Sequence, residues 1–297
     1  MVGDAGLDIV ARSAALPAPG GDARARITVG SGGAGANTAA WLAACGAEPV
    51  LVARVGADPA ADQLRAELAG AGVRCAFATD PAAPTCRVVV LVDGAGQRTM
   101  LADRGAAARL APGDLSLAAL ASARHLHLSG YVLLDPSSRS GGLAALAAAR
   151  AAGMTTSVDP QAARLLIDPA GFLAAVRGVD LLLPSSGELA ALTGSADPAS
   201  ATGLLGTVGA VAVTAGAAGA AWVGPAGLTS VPAEPAEVVD STGAGDAFDA
   251  GLLAAWLAGA APADALHAGA VAGARAVARL GARPQGLDRE CADRPSR

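Results

Sequence analysis

The chain has 297 residues, a formal net charge of −5, 39 glycines and only 2% aromatic residues, so a core must be built from Ala, Leu and Val. That length suffices for one large α/β core with an appendage. Negative charge without a basic run argues against a nucleic-acid partner, and no run of about 18 residues is free of charge or of Gly/Pro breaks, so no membrane span is expected. The amino terminus shows no basic-then-apolar leader, and a cytoplasmic protein is the expectation. All 21 basic residues are Arg, which excludes a Schiff-base lysine and a Walker-type Gly-Lys loop. Cys45, Cys75, Cys86 and Cys291 show no C-x-x-C spacing and read as free thiols.

Only two residues precede Gly3-Asp4, so either the first strand is short or the start lies upstream. Asp8 follows on a loop, where a carboxylate can accept two hydroxyl hydrogen bonds. Residues 11–25 are rich in Pro, Gly and Ala and predict a loop or edge strand, and Arg26-Ile27-Thr28-Val29 predicts a strand. The glycine-rich stretch 30–37 then leads into a helix over 38–45. Read literally, Gly30-x-Gly32-x-x-Gly35 is a dinucleotide fingerprint and points to an NAD(P)-linked enzyme. Against it, the strand at 49–55 ends without the acid that a ribose hydroxyl requires. That strand, a helix to about residue 71 and a strand over 73–78 form a βαβ alternation, which favours a parallel sheet. Residues 87–92 and 97–102 flank Asp93-Gly94-Ala95-Gly96 and predict an antiparallel hairpin, with Arg104 just beyond.

Residues 114–120 read as helical, and 124–129 as a half-exposed strand whose His125 and His127 share one face without being metal ligands. A helix over 138–152 precedes a strand at 155–159 that ends in Asp159-Pro160, at the carboxyl end where α/β sheets collect ligands. A further strand over 179–183 runs into Pro184-Ser185-Ser186-Gly187-Glu188 and a helix. Strand 210–213 leads to Thr214-Ala215-Gly216-Ala217-Ala218-Gly219, then to strands near 221–223 and 228–231. A helix over 263–280 carries His267, Gly281-Ala282-Arg283-Pro284 closes it, and the polar tail reads as loose. Without repeats or a linker, residues 1–297 read as one domain.

Asp240-Ser241-Thr242-Gly243-Ala244-Gly245-Asp246-Ala247-Phe248 lies between a β-branched pair, Val238-Val239, and an apolar-periodic run. A loop of small residues opening a helix turns unpaired N–H groups outward at the positive end of the helix dipole, a site for a phosphate or a developing oxyanion. Asp246 would repel a merely bound anion, but is in place if it takes a proton from a hydroxyl that attacks the phosphate. The competing reading is a helix with an acidic first turn.

This stretch resembles the C-terminal signature of the PfkB, or ribokinase-like, carbohydrate kinases. Residues 32–39, Gly-Gly-Ala-Gly-Ala-Asn-Thr-Ala, resemble that family's N-terminal Gly-Gly-x-x-x-Asn signature, and the resemblance runs from Asp8 to about Pro284. It implies an α/β fold with a central, mostly parallel sheet flanked by helices and a small β-sheet lid from segments 9–30 and 84–104. It implies ATP-dependent phosphorylation of a sugar-like hydroxyl, with Asp246 as catalytic base and Gly243, Ala244 and Gly245 as the anion hole. By the same resemblance Asp8, Gly33, Asn37 and Arg104 meet the substrate, Thr214, Gly216 and Gly219 form the nucleotide loop, and His267 lies against the adenine. Glu188 would organise Mg2+ through water, Asp240 would hold a monovalent cation such as K+, and relatives pair as homodimers through their lids. Two positions depart: Ala34 stands where ribokinases proper have Lys, and Ser185 stands where the family has Asn. A nucleoside kinase and a catalytically silent sugar-binding homologue therefore stay open as alternatives.

Overall fold

Strands buried on both faces read as near-continuous apolar runs, as Ala220–Gly224 does here, whereas His125–Ser129 and Thr155–Asp159 carry polar residues on one buried face. The computed structural model describes residues 1–15, 18, 20–94, 97–115 and 123–284. The strands are β1 (Gly6–Arg12), β2 (Arg26–Gly32), β3 (Val50–Gly56), β4 (Arg74–Asp80), β5 (Cys86–Val92), β6 (Arg98–Asp103), β7 (His125–Ser129), β8 (Thr155–Asp159), β9 (Leu181–Leu182), β10 (Ala210–Thr214), β11 (Ala220–Gly224) and β12 (Gly227–Val231). The helices are α1 (Ala34–Ala44), α2 (Pro59–Gly70), α3 (Tyr131–Leu134), α4 (Arg139–Ala151), α5 (Pro169–Ala175), α6 (Ser186–Thr193), α7 (Ala244–Leu257) and α8 (Pro262–Val277).

The main sheet runs β12-β11-β10-β9-β8-β7. Its β7–β8, β8–β9 and β9–β10 pairs are parallel, and only β11 and β12 turn back. Val2 bridges in parallel to both Leu128 and Val52, so the short first segment joins the β3–β4 pair to this sheet. Successive strand residues point to opposite faces. Leu182, Val211 and Val213 join the core with Leu146 and Phe172, whereas Leu181, Leu183 and Ala212 join the core with Trp41, Phe248 and Leu266. Helices therefore cover both faces, with α1, α7 and α8 on one and α4, α5 and α6 on the other.

The second sheet is smaller and runs β2-β1-β5-β6. β1 is parallel to β5, and the outer pairs are antiparallel. Here the sequence expectations need adjustment. Asp8 belongs to β1, paired with Gly30 and Val88, rather than to a loop. Gly30-Ser31-Gly32 continue β2, and α1 opens at Ala34 rather than residue 38 because Gly33, at φ 92°, makes the whole turn. A side chain there would also place its Cβ 2.7 Å from the Asp4 carbonyl oxygen. The helix of 114–120 falls mostly outside the described residues, where 112–114 make a single 3-10 turn. Ala95, Gly96, Cys291 and the polar tail also lie outside them. The strand of His125 and His127 is not half-exposed, because α7 covers the face they share and His127 is fully buried. No helix of the described residues is long and apolar enough to cross a membrane.

Candidate active site

The geometry begins at Gly243. It adopts φ 76°, and a Cβ at this position would lie 2.5 Å from the Ala282 carbonyl oxygen. Only glycine lets the chain turn there and enter α7, whose first N–H, that of Ala244, lies 3.4 Å from the Ser241 carbonyl oxygen. Ala244 and Gly245 form the first turn, and Asp246 follows, 8% exposed. Asn37 of α1 donates from Nδ2 to Asp246 Oδ2 at 3.0 Å. The Thr38 hydroxyl lies 3.2 Å from Oδ1 and 2.9 Å from the Ala34 carbonyl oxygen. Burial pushes the Asp246 carboxyl up to about 6, with these donors and the Arg283 charge holding it from rising further.

Arg283 was not singled out in the sequence, yet it organises the acceptor side. Its Nε donates to Asn37 Oδ1 at 3.2 Å and its Nη2 to the Gly32 carbonyl oxygen at 2.8 Å. This fixes the Asn37 amide with its oxygen toward Arg283 and its nitrogen toward Asp246. Burial raises the Asp8 carboxyl, and Arg283 draws it back. Asp8, Asn37, Arg283 and Asp246 thus converge from β1, α1, the segment after α8 and the head of α7. Gly33 contributes through its backbone turn.

Arg104 lies between two carboxylates. Its Nη1 pairs with Asp135 at 2.6 Å, and its Nη2 with Asp4 at 2.9 Å. These pairs tie the end of the smaller sheet to the main body. Asp240 is likewise occupied. Oδ1 accepts from the Thr242 N–H at 3.0 Å and hydroxyl at 2.6 Å, and Oδ2 from the Gly281 N–H at 3.2 Å. The Arg98 and Arg12 guanidinium groups stand at 3.6 and 3.7 Å. Two fixed positive charges already neutralise this carboxylate, so the residues present do not fit a monovalent cation.

On the nucleotide side, Ser185 caps α6. Its hydroxyl accepts from the Glu188 N–H at 3.3 Å, while Glu188 Oε2 accepts from the Ser185 N–H at 2.7 Å. Ser185 also bridges to Thr214, which brings the Thr214–Gly219 turn beside Glu188. Glu188 and Asp159 are buried, and the Glu188 charge adds to burial in pushing Asp159 well up. A pair of close, desolvated carboxyls suits a hard cation. No three His, Cys, Asp or Glu among the described residues are grouped to ligate an ion directly. His267 is 62% exposed on α8 and pairs with Glu234 at 3.2 Å. Cys75 and Cys86 are free thiols.

A buried carboxylate thus stands at the head of a glycine-opened helix, on an α/β sheet accompanied by a second, smaller sheet. The chain matches the pfkB family carbohydrate kinase model over residues 1–288, and it belongs to that family. It is 34% identical over 270 residues to a fructokinase of Klebsiella pneumoniae, covering 86% of this chain and 82% of that protein. The structure of an adenosine kinase from Sinorhizobium meliloti superimposes with a TM-score of 0.87 at 25% identity, covering 98% of this chain and 97% of that one. A putative ribokinase II from E. coli, in complex with ATP and Mg2+, gives 0.85 at 25% identity, covering 95% and 92%. The expected ribokinase-like α/β fold with its additional small sheet is therefore present.

Proposed function

We propose that this carbohydrate kinase transfers the γ-phosphoryl group of ATP to a hydroxyl of a sugar or sugar-like acceptor, with Asp246 as general base. The observation that carries the reading is the buried Asp246 carboxylate, held by Asn37 and Thr38 and pushed up to about 6 by burial. Asp246 takes the hydroxyl proton, the alcohol oxygen bonds to the γ-phosphorus, the bond to the bridging oxygen breaks, and ADP leaves. The N–H groups of Gly243, Ala244 and Gly245 face the charge that develops on the transferring group. Asp8 and Asn37 hold acceptor hydroxyls, and the Thr214, Gly216 and Gly219 turn holds the nucleotide, with His267 near its base. Glu188 organises Mg2+ through water, and the bound ion would neutralise charge on the ATP oxygens.

Residues 1–297 act as one domain in this reading, and segments 9–30 and 84–104 form a lid that excludes water as a competing acceptor. The outer face of that sheet carries Ile27, Val29 and Leu101, exposed by 64, 58 and 59%. Val29, Ile9, Val89 and Leu101 are in register across all four strands, an apolar row suited to a second copy in a homodimer.

A nucleoside acceptor is the second reading, favoured by the likeness to an adenosine kinase and by Ala34 in place of Lys. An ADP-release screen with Mg-ATP against sugars, sugar acids and nucleosides, with Asp246→Asn in parallel, separates the readings. A signal with one acceptor, lost in the variant, establishes base and substrate class together. Nucleotide binding without turnover on any acceptor would mark a silent sugar-binding homologue instead.

A further inference from the structure

The segment Gly281-Ala282-Arg283, which the sequence marks only as the close of the last helix, is a strap that touches both halves of the site. The Gly281 N–H donates to Asp240 Oδ2 at 3.2 Å, in the loop that leads into α7. Buried Ala282 packs against Gly243, where a Cβ would strike its carbonyl oxygen. That same oxygen accepts from Trp41 Nε1 at 2.9 Å, and Trp41 lies one turn beyond Asn37 on α1. Consecutive residues of the strap therefore meet consecutive turns of α1, Ala282 at Trp41 and Arg283 at Asn37.

The Arg283 side chain is only 14% exposed. Nε and Nη2 lie on one edge of the planar guanidinium, and this fork bridges Asn37 Oδ1 at 3.2 Å and the Gly32 carbonyl oxygen at 2.8 Å. It thereby joins α1 to the end of β2. Nη1 faces Glu67 of α2 at 3.8 Å, and Glu67 accepts in turn from Gln63 at 2.9 Å and from the Ser31 hydroxyl of β2. A guanidinium only donates and an ionised carboxylate only accepts, so an amide held between them has a single orientation. Asn37, the sole asparagine of the chain, is held in this way, with Oδ1 toward Arg283 and Nδ2 at 3.0 Å from Asp246 Oδ2. Turned over, it would set its oxygen against the carboxylate and its NH2 against the guanidinium.

We propose that Arg283 is a positioning residue for phosphoryl transfer: its fork locks Asn37 between β2 and Asp246, and so holds the Asp246 carboxylate in place for the acceptor hydroxyl. This rests on the reading of Asp246 as base. The test uses protein labelled with 15N at asparagine and tryptophan, whose spectrum holds a single side-chain amide. Arg283→Met keeps the buried stem without the fork. Its Asn37 amide protons exchange with solvent about tenfold or more faster than in wild type, while the Trp41 indole N–H, held by Ala282, keeps its rate. Arg283→Lys, which keeps the charge but not the fork, shows the same release and covers the case in which Arg283→Met fails to fold. With the acceptor that gives the strongest signal in the ADP-release screen, either variant loses about ten- to a hundredfold in kcat, and KM for Mg-ATP is unchanged. Adding Arg283→Met to Asn37→Leu costs less than about twofold more, because the fork then has no amide to hold. An Asn37 amide that exchanges as in wild type, full rescue by Lys, or losses that multiply in the double variant overturns the proposal. If Asp246→Asn itself turns over normally, the base reading falls and the kinetic role of Arg283 falls with it. The amide exchange, which needs no acceptor, then still decides whether Arg283 locks Asn37.

Discussion

Asp246 meets two opposing demands, since a base must be ionised and a buried carboxylate resists ionisation. Burial raises it to about 6, and the Asn37 donor at 3.0 Å keeps it from going higher. The acid limb of kcat/KM is therefore expected near pH 6, with activity falling below it as the base protonates. Asn37→Leu removes a donor to the ionised form, so its limb moves to higher pH beyond any loss in acceptor affinity. A pH–rate profile of both proteins checks this. Asp246→Asn should lose about 10²–10⁴-fold in turnover. Stability moves in the opposite direction. A carboxyl raised in the folded state stabilises that state while protonated, and this contribution is lost as pH rises from the ordinary value of 3.8 through about 6. At neutral pH the Asn variant should therefore melt at a higher temperature than wild type, measurable by calorimetry. Asp246 and Asn37 were legible in the sequence because each sits in a motif. Arg283 was not, because it acts through partners far away in the chain, bonding Asn37 and Gly32.

At the scale of elements, the junction before α7 depends on Gly243. Gly243→Ala adds a Cβ against Ala282 and holds a non-glycine residue at positive φ. The backbone strain alone is about 1–3 kcal/mol. The N–H groups of the first turn shift with it, so denaturant unfolding should show the lost stability and steady-state kinetics a fall in kcat. The neighbouring Asp240 tests the ion question. Arg12 of β1 and Arg98 of β6 supply its counter-charges, and Arg98 also bonds the Ser241 and Thr242 hydroxyls. Replacing K+ by Na+ or by a bulky organic cation at constant ionic strength should leave kcat unchanged, whereas Arg98→Ala should lower it and create a response to K+. The motif showed an acid at 240 but not what approaches it, because Arg12 and Arg98 arrive from strands of the other sheet.

At the scale of the molecule, the outer face of the smaller sheet is the surface most open to a partner. Ile27→Glu combined with Val29→Glu should abolish self-association without touching the face that bears Asp8, and sedimentation analysis reads the change directly. A chain that is monomeric before substitution would remove the homodimer from the proposal.

The sequence by itself determined the alternation of strands and helices, the parallel character of the sheet, and the two glycine-bearing motifs. These are local properties, since apolar periodicity, turn glycines and short polar signatures act within a few residues of one another. Only the tertiary structure decided that Gly30–Gly32 belong to an edge strand rather than a dinucleotide turn, that Arg104 pairs with Asp4 and Asp135, and that Arg283 reaches Asn37. Those outcomes depend on which distant segments meet, and on the cost of burying charge without a partner, which is settled only once the chain has closed on itself.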